Sequence, residues 1–271
     1  MSASTETGDA MTVLVLAERT DATADLVVRA LNDRGVVVFR CDAAEFPTTL
    51  TLAGCLDAGD GRWRGRLRTA HRQVALEDIT GVYFRRPTQF QLPEGMTKAE
   101  RRFAAAEARM GLGGVLLSLP CRWVNHPSRN ADAEYKPVWL AAAARAGLRV
   151  PETVITNDPA SARGFADRVA GPVVYKTLSA PAVPDGDDLR LIYTTGVDPD
   201  RLADERIAWT AHLFQRRLTK QRDVRATVVG DRSSPSTSTC PARRAPRWTG
   251  GPTTPPTATR SPSYRPRWRK G

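Results

Sequence analysis

"LFQRRLTKQRDVRATVVGDR", Leu213 to Arg232, opens on apolar residues, passes through a polar turn and resumes as "DVRATVVG", where apolar and polar residues alternate. That pattern predicts strand, turn, strand. One residue later it ends: "SSPSTSTCPARRAPRW", Ser233 to Trp248, is built from Ser, Pro, Thr and Arg around isolated other residues. A chain in the middle of building a sheet has no evident physical reason to stop there.

Towards the N-terminus, "PVVYKTLS", Pro172 to Ser179, is another strand, with Lys176 at its end before a turn. A lysine that interrupts "VVYKTL" must leave the apolar face of the sheet or meet an anion, because an unpaired buried ammonium is costly. Spacing alone also allows a strand-end lysine in water. "DPASARGFADRVAG" is a helix with Asp158 as N-cap and Pro159 at its first position, and "VPETVITN" before it is a strand. "DAEYKPVWLAAAARAG" is predicted as one helix with Pro137 near its start and Gly147 closing it, which places Lys136 on its first turns. "PAVPDGDDLRLIYTTGV", Pro181 to Val197, reads as a polar loop. Its Asp185, Asp187 and Asp188 read as a solvated acidic turn rather than a metal site, which needs ligands converging from rigid positions.

The first half has a different layout. "TVLVLAE" from Thr12, the helical spacing of Ala24, Val27, Val28 and Leu31 up to Gly35, and "VVVFRCD" make a parallel βαβ unit. The first strand is followed by no GxGxxG, so a dinucleotide site is not indicated. "ITGVYFRRP", Ile79 to Pro87, is a further strand ending on Arg85 and Arg86, and Lys98 to Leu119 is helical. By itself "VYFRRP" fits an edge strand with exposed arginines that Pro87 terminates. "RWVNHP" is a short strand ended by Pro127, with His126 as a turn residue.

The chain has 271 residues, 41% of them hydrophobic, enough for a real core. No run approaches the roughly 18 apolar residues of a membrane span, and "MSASTETGDAM" lacks the regions of a signal peptide, so no membrane partner and a cytoplasmic location are expected. Cys41, Cys55, Cys121 and Cys240 form no CxxC pair and read as structural thiols. The net charge of +11 would suggest nucleic acid, but eight of the basic residues lie in residues 233–271, which contain no Asp or Glu. Removing those eight leaves +3 for residues 1–232, so nucleic acid is an unlikely partner and the basicity belongs to the tail.

The ordered series "NHP", "KPVWLAAAARAGLRVPETVITNDP", "VVYKTLS", "YTTGV" and "FQRRLTKQRDVRATVVGDR" resembles the ATP-grasp ligases, and among them the ribosomal peptide maturases of the microviridin-type ester and amide ligase group. The N-terminal part with "VYFRRP" resembles their pre-ATP-grasp domain. The resemblance implies an α/β chain with three regions. These are a pre-ATP-grasp, Rossmann-like domain over 12–124, the N-terminal part of an ATP-grasp domain over 125–232, and a disordered basic tail over 233–271. It also implies ATP and Mg²⁺ as cofactors and a ribosomal precursor peptide as partner, with the oligomeric state open and a homodimer allowed.

Carried over by position, Lys136 and Lys176 would contact the ATP phosphates, where fixed ammonium groups offset clustered negative charge. Gln215, Arg216 and Leu218 would form the hinge whose backbone meets the adenine edge. Asp223 would lie near the ribose or close the hinge loop, and Arg225 would face the γ-phosphate as the catalytic cation. Without the resemblance, Arg225 is equally well an outward strand residue. Arg85 and Arg86 would help receive an acidic peptide, since guanidinium forks suit carboxylates. Arg216 is a departure, because the family usually has an acidic residue after the hinge Gln. The chemistry implied is attack of a substrate carboxylate on the γ-phosphate, then capture of the acyl phosphate by a hydroxyl or amine, with no protein nucleophile.

Such chemistry needs carboxylates to hold Mg²⁺, which the family takes from its last strands. Residues 233–271 have none, and no Val, Ile, Leu, Met or Phe to build those strands. No metal ligand is therefore assigned, and impaired activity is expected. One account is a change of reading frame near Ser233: shifted codons across "SPSTSTCP" permit an alternating strand, and Trp248-Thr249 then forces an Asp. The others are a genuine disordered extension, a noncatalytic peptide-binding remnant, or a nucleic-acid-binding tail.

Overall fold

Thr12–Ala17 (β1), Ala22–Asn32 (α1) and Val37–Cys41 (β2) realise the expected βαβ unit in the structure, a computed structural model that describes residues 11–179, 182–185 and 188–238. The chain divides into two compact units between Asp132 and Ala133.

In the N-terminal unit, Thr51–Asp57 (β3), Arg62–Arg68 (β4) and Gln73–Ala75 (β5) form a three-stranded antiparallel sheet that the sequence reading passed over. Ile79–Arg85 (β6) and Arg122–Val124 (β7) join β1 and β2 in a parallel sheet of order β2-β1-β6-β7. Period two sorts β1 onto two cores. Leu14 and Leu16 face a cluster with Leu50, Leu67, Val74, Leu76, Val82 and the buried side of Lys98–Leu117 (α2), while Val15 and Ala17 face α1. α2 begins at a reciprocal cap: Thr97 Oγ1 accepts from Glu100 N at 3.3 Å, and Glu100 Oε2 accepts from Thr97 N at 2.8 Å.

Pro127–Glu134 (α3) straddles the division, and Lys136–Arg145 (α4) opens the body of the second unit. One helix was expected across this stretch, but it breaks at Tyr135, whose backbone is extended. Pro137 explains the break, because it has no N–H for the carbonyl of Ala133 and its ring would clash there. Thr153–Thr156 (β8), Pro159–Arg168 (α5) and Val173–Lys176 (β9) follow the prediction, with Asp158 capping α5 through Ala160 N and Ser161 N. The stretch read as a polar loop instead carries a hairpin, Ala182–Asp185 (β10) with Asp188–Leu191 (β11), and a sheet strand, Thr195–Val197 (β12). Two 3-10 turns, Pro199–Ala203 and Glu205–Trp209, supply Leu202 and Ile207 to a core with Ala162, Phe165, Val173, Val197 and Phe214. His212–Arg216 (β13) lies between β8 and β9, giving an antiparallel sheet of order β12-β9-β13-β8.

Asp223–Val229 (β14) pairs with Arg232–Ser238 (β15), so strand pairing does not stop at Arg232. This corrects the expectation of a foldless tail from residue 233. The reason is local. Val229 opposes Arg232 across Gly230 and Asp231, and Gly230 has φ 62°, the geometry of a two-residue hairpin loop with Gly first. Backbone pairing then runs on through serines without apolar side chains, and Val224, Val228 and Val229 are left exposed. The remainder of the expected tail, 239–271, lies outside the described residues, as do the side chains of Asp185, Asp187 and Asp188.

Candidate functional site

β9 and β13 run antiparallel with Leu213 opposite Lys176 and Gln215 opposite Val174. Alternation puts Val173, Tyr175 and Phe214 on the core side, against α5. Lys176 and Gln215 therefore share the other face, as diagonal neighbours across the strand pair. Lys176 Nζ donates to Gln215 Oε1 at 2.9 Å, and Gln215 Nε2 donates to Thr153 Oγ1 on β8 at 2.8 Å. Thr153 Oγ1 in turn donates to Pro151 O at 2.8 Å. A buried glutamine with both ends of its amide engaged holds the lysine where the strand ends.

Lys136, at the start of α4, reaches the turn just past β9, where its Nζ donates to Leu178 O at 2.8 Å and Ser179 O at 3.2 Å. Lys220 lies in the loop after β13 and donates to both oxygens of Asp223, at 2.8 and 2.9 Å. Burial pushes the Lys176 ammonium below the usual lysine range, and the charges of Lys220 and Lys136 push it further. Two half-buried lysines meet carbonyl and amide oxygens, and neither has a carboxylate partner among the described residues. Such a site attracts an anion of more than one charge.

Arg216, Arg217 and Leu218, the stretch expected to form a hinge, are only partly engaged. Arg216 N donates to Glu152 O at 2.9 Å, and Arg217 N to Pro172 O at 2.8 Å, so both N–H groups close the sheet. The Leu218 N–H has no partner among the described residues, and its side chain is exposed. The Arg216 side chain pairs with Glu152 at 2.5 Å. Asp223 pairs with Lys220, three residues before it in the chain. Arg225 lies exposed on β14, and its guanidinium has no hydrogen bond or ion pair among the described residues. The structure thus gathers Lys136, Lys176 and Gln215 and leaves Arg225 on the separate hairpin. Thr153, Glu152 and Lys220 were missed by sequence reasoning. Only Lys220, in the basic turn "TKQRD", carried a signal that could have found it.

No group of three or more His, Cys, Asp or Glu that could hold a metal occurs among the described residues. Five acids of this unit have partners: Asp158 caps α5, Asp198 and Asp204 cap the 3-10 turns, and Glu152 and Asp223 pair with Arg216 and Lys220. The charges of Lys136 and Lys176 suit a phosphate chain, and no carboxylate cluster suited to Mg²⁺ accompanies them among the described residues. No described helix is long and apolar enough to cross a membrane.

Residues 12–131 match the family model of the MvdD pre-ATP-grasp domain. Among solved structures, the chain is similar to a Chryseobacterium gregarium RiPP-associated ATP-grasp ligase in complex with ADP and a leader and core peptide. The identity is 25% and the TM-score 0.77, covering 84% of this chain and 69% of that one. It is also similar to the macrocyclase MdnC of Microcystis aeruginosa, bound with its precursor peptide MdnA, at 25% identity and TM-score 0.74 over 84% and 75% of the two chains. PsnB, an ATP-grasp ligase complexed with a variant of its minimal precursor, Mg and ADP, matches at 26% identity and TM-score 0.59 over 83% and 70%. No curated protein matches by sequence.

Proposed function

Since the chain carries an MvdD-type pre-ATP-grasp domain and has the fold of RiPP-associated ATP-grasp ligases, we propose that it is an ATP-binding member of the group that acts on a ribosomally made precursor peptide, with impaired turnover. The activity of the group, on this reading, is ligation of a side-chain carboxylate to a hydroxyl or amine through an acyl phosphate. The observation that carries the proposal is the meeting of Lys136 and Lys176 beside the β13 hinge. A triphosphate supplies the leaving group and the negative charge. Lys136 and Lys176 hold it, and Gln215 orients Lys176. The Leu218 N–H is left for the adenine edge. Arg225 would complete the set only if the hairpin brings it in.

Impairment is inferred because no acidic cluster that could hold a metal occurs among the described residues and residues 233–271 contain no Asp or Glu, and charge neutralisation by lysines alone grips a triphosphate without stabilising its transfer. The same observation favours a second reading, a noncatalytic protein that binds peptide and nucleotide. Calorimetric titration with ATP, with and without Mg²⁺, tests the site. Binding that is lost in Lys136→Ala and Lys176→Ala supports the proposal, and no binding by the parent chain refutes it. Phosphate release above background with ATP, Mg²⁺ and an acidic peptide would refute the impairment. Sequencing the locus tests the frame change, and no ATP-grasp C-terminus in any downstream frame would refute that.

A further inference from the structure

Arg85 and Arg86 are adjacent at the end of β6 and are used differently. Arg85 Nε donates to Asp21 Oδ1 at 3.0 Å, and the same carboxylate accepts from Ala24 N at 2.8 Å as the cap of α1. The charge of Arg85 is neutralised locally. Arg86 has φ 45°, a left-handed backbone that no other described non-glycine residue shares. It is held there from both flanks. Arg85 is tied to Asp21 on one side, and beyond Pro87 the backbone N and Oγ1 of Thr88 both donate to the buried Asp42 at 2.7 Å. A conformation this unfavourable persists only when the surroundings over-determine it, and such residues gather at binding sites.

The Arg86 guanidinium has no hydrogen bond or ion pair among the described residues. It lines a recess of about 240 Å³ with Tyr83, Phe84, Val124, Asn125, Asn130 and the Asp21-paired Arg85, and no Asp or Glu lines it. Neither asparagine side chain has a hydrogen-bond partner among the described residues. We propose that this recess is a carboxylate site, receiving one Asp or Glu side chain of an extended peptide. Arg86 pairs with the carboxylate, and the Asn125 and Asn130 amides donate to its remaining lone pairs. The inference rests on the reading above that the partner is a peptide.

Size and charge select this ligand. Pockets for cofactors and drug-sized molecules run to roughly 300–1,000 Å³, and this smaller recess matches one side chain better than a nucleotide. A single uncompensated guanidinium with neutral amide donors matches a monoanion, while the clustered lysines of the other unit suit a polyphosphate.

The test is a titration of the ¹⁵N-labelled full chain with capped pentapeptides carrying one central glutamate or glutamine, followed by inorganic phosphate and then ATP. The glutamate peptide should shift the side-chain signals of Asn125, Asn130 and Arg86, and the glutamine peptide should not. Arg86→Gly, which suits the left-handed turn, should weaken the glutamate response at least tenfold. A response unchanged in that variant, no response to glutamate, or displacement by phosphate in preference to the peptide would overturn the assignment, whether or not ATP binds. A glutamate-dependent response with no ATP binding upholds the recess and refutes the ligase reading alone.

Discussion

Gln215→Met isolates the central link of the lysine site. The side chain is 4% exposed and makes two bonds, one from the Lys176 ammonium and one to Thr153. A bond to a charged group contributes about 1.5–3 kcal/mol and a neutral one about 0.5–1.5 kcal/mol. Methionine fills a similar volume and spares the burial of an amide, which offsets part of the loss, so the unit should lose about 2–3 kcal/mol. For a chain of this size that is a fall of roughly 5–10 °C in the melting temperature.

The pH dependence gives a second reading. Lys176 is already held below the usual lysine range by burial, Lys220 and Lys136, so between its folded pKa and the ordinary 10.5 the unfolded chain binds its proton more tightly than the folded one. Stability from this group therefore rises with pH across that window. Removing its acceptor oxygen lowers the folded pKa further. The deficit of the variant should then shrink between pH 7 and pH 10. Calorimetry at both pH values separates the transition of this unit from that of the other. A variant as stable as its parent, or a deficit independent of pH, would refute the claim that Gln215 holds a charged Lys176.

Other perturbations follow from particular contacts. Gly65→Ala would place a Cβ 2.0 Å from Ala53 O at φ 139°, so the N-terminal unit should lose roughly 2–3 kcal/mol or rearrange β3 and β4, read by its melting transition. Asp42→Ala strands two donors of Thr88 and should cost about 3 kcal/mol in the same assay. Thr97→Ala removes the cap of α2 and should cost about 1 kcal/mol in urea unfolding. Arg86→Gly should leave stability unchanged or slightly raised, because relief of about 1–2 kcal/mol of left-handed strain is opposed by about 0.5–1 kcal/mol of backbone entropy.

The sequence by itself determined the βαβ start, the strands around Lys176 and Gln215, and the cap of α5. Each is a local matter of period, N-cap chemistry or Pro and Gly placement. The sheet of β3 to β5 was also present as period two in "RWRGRLR", but its polar positions are all arginine and its interior ones include Gly65, so it lacks the apolar weight of a strand. Gly230 carried the hairpin signal that continues pairing to Ser238, and the loss of apolar residues after Arg232 concealed it.

Only the tertiary structure decided which charges are free. Arg85 and Arg86 are equivalent in sequence, and Asp21, more than sixty residues away, neutralises one of them. Arg216 is answered by Glu152 across the sheet, while Lys136 and Lys176, forty positions apart, converge on neighbouring turns with no acidic partner among the described residues. Local pattern sets where a side chain starts. What it meets depends on strand register and on the folding back of distant segments, and the electrostatic character of a site is made of those meetings.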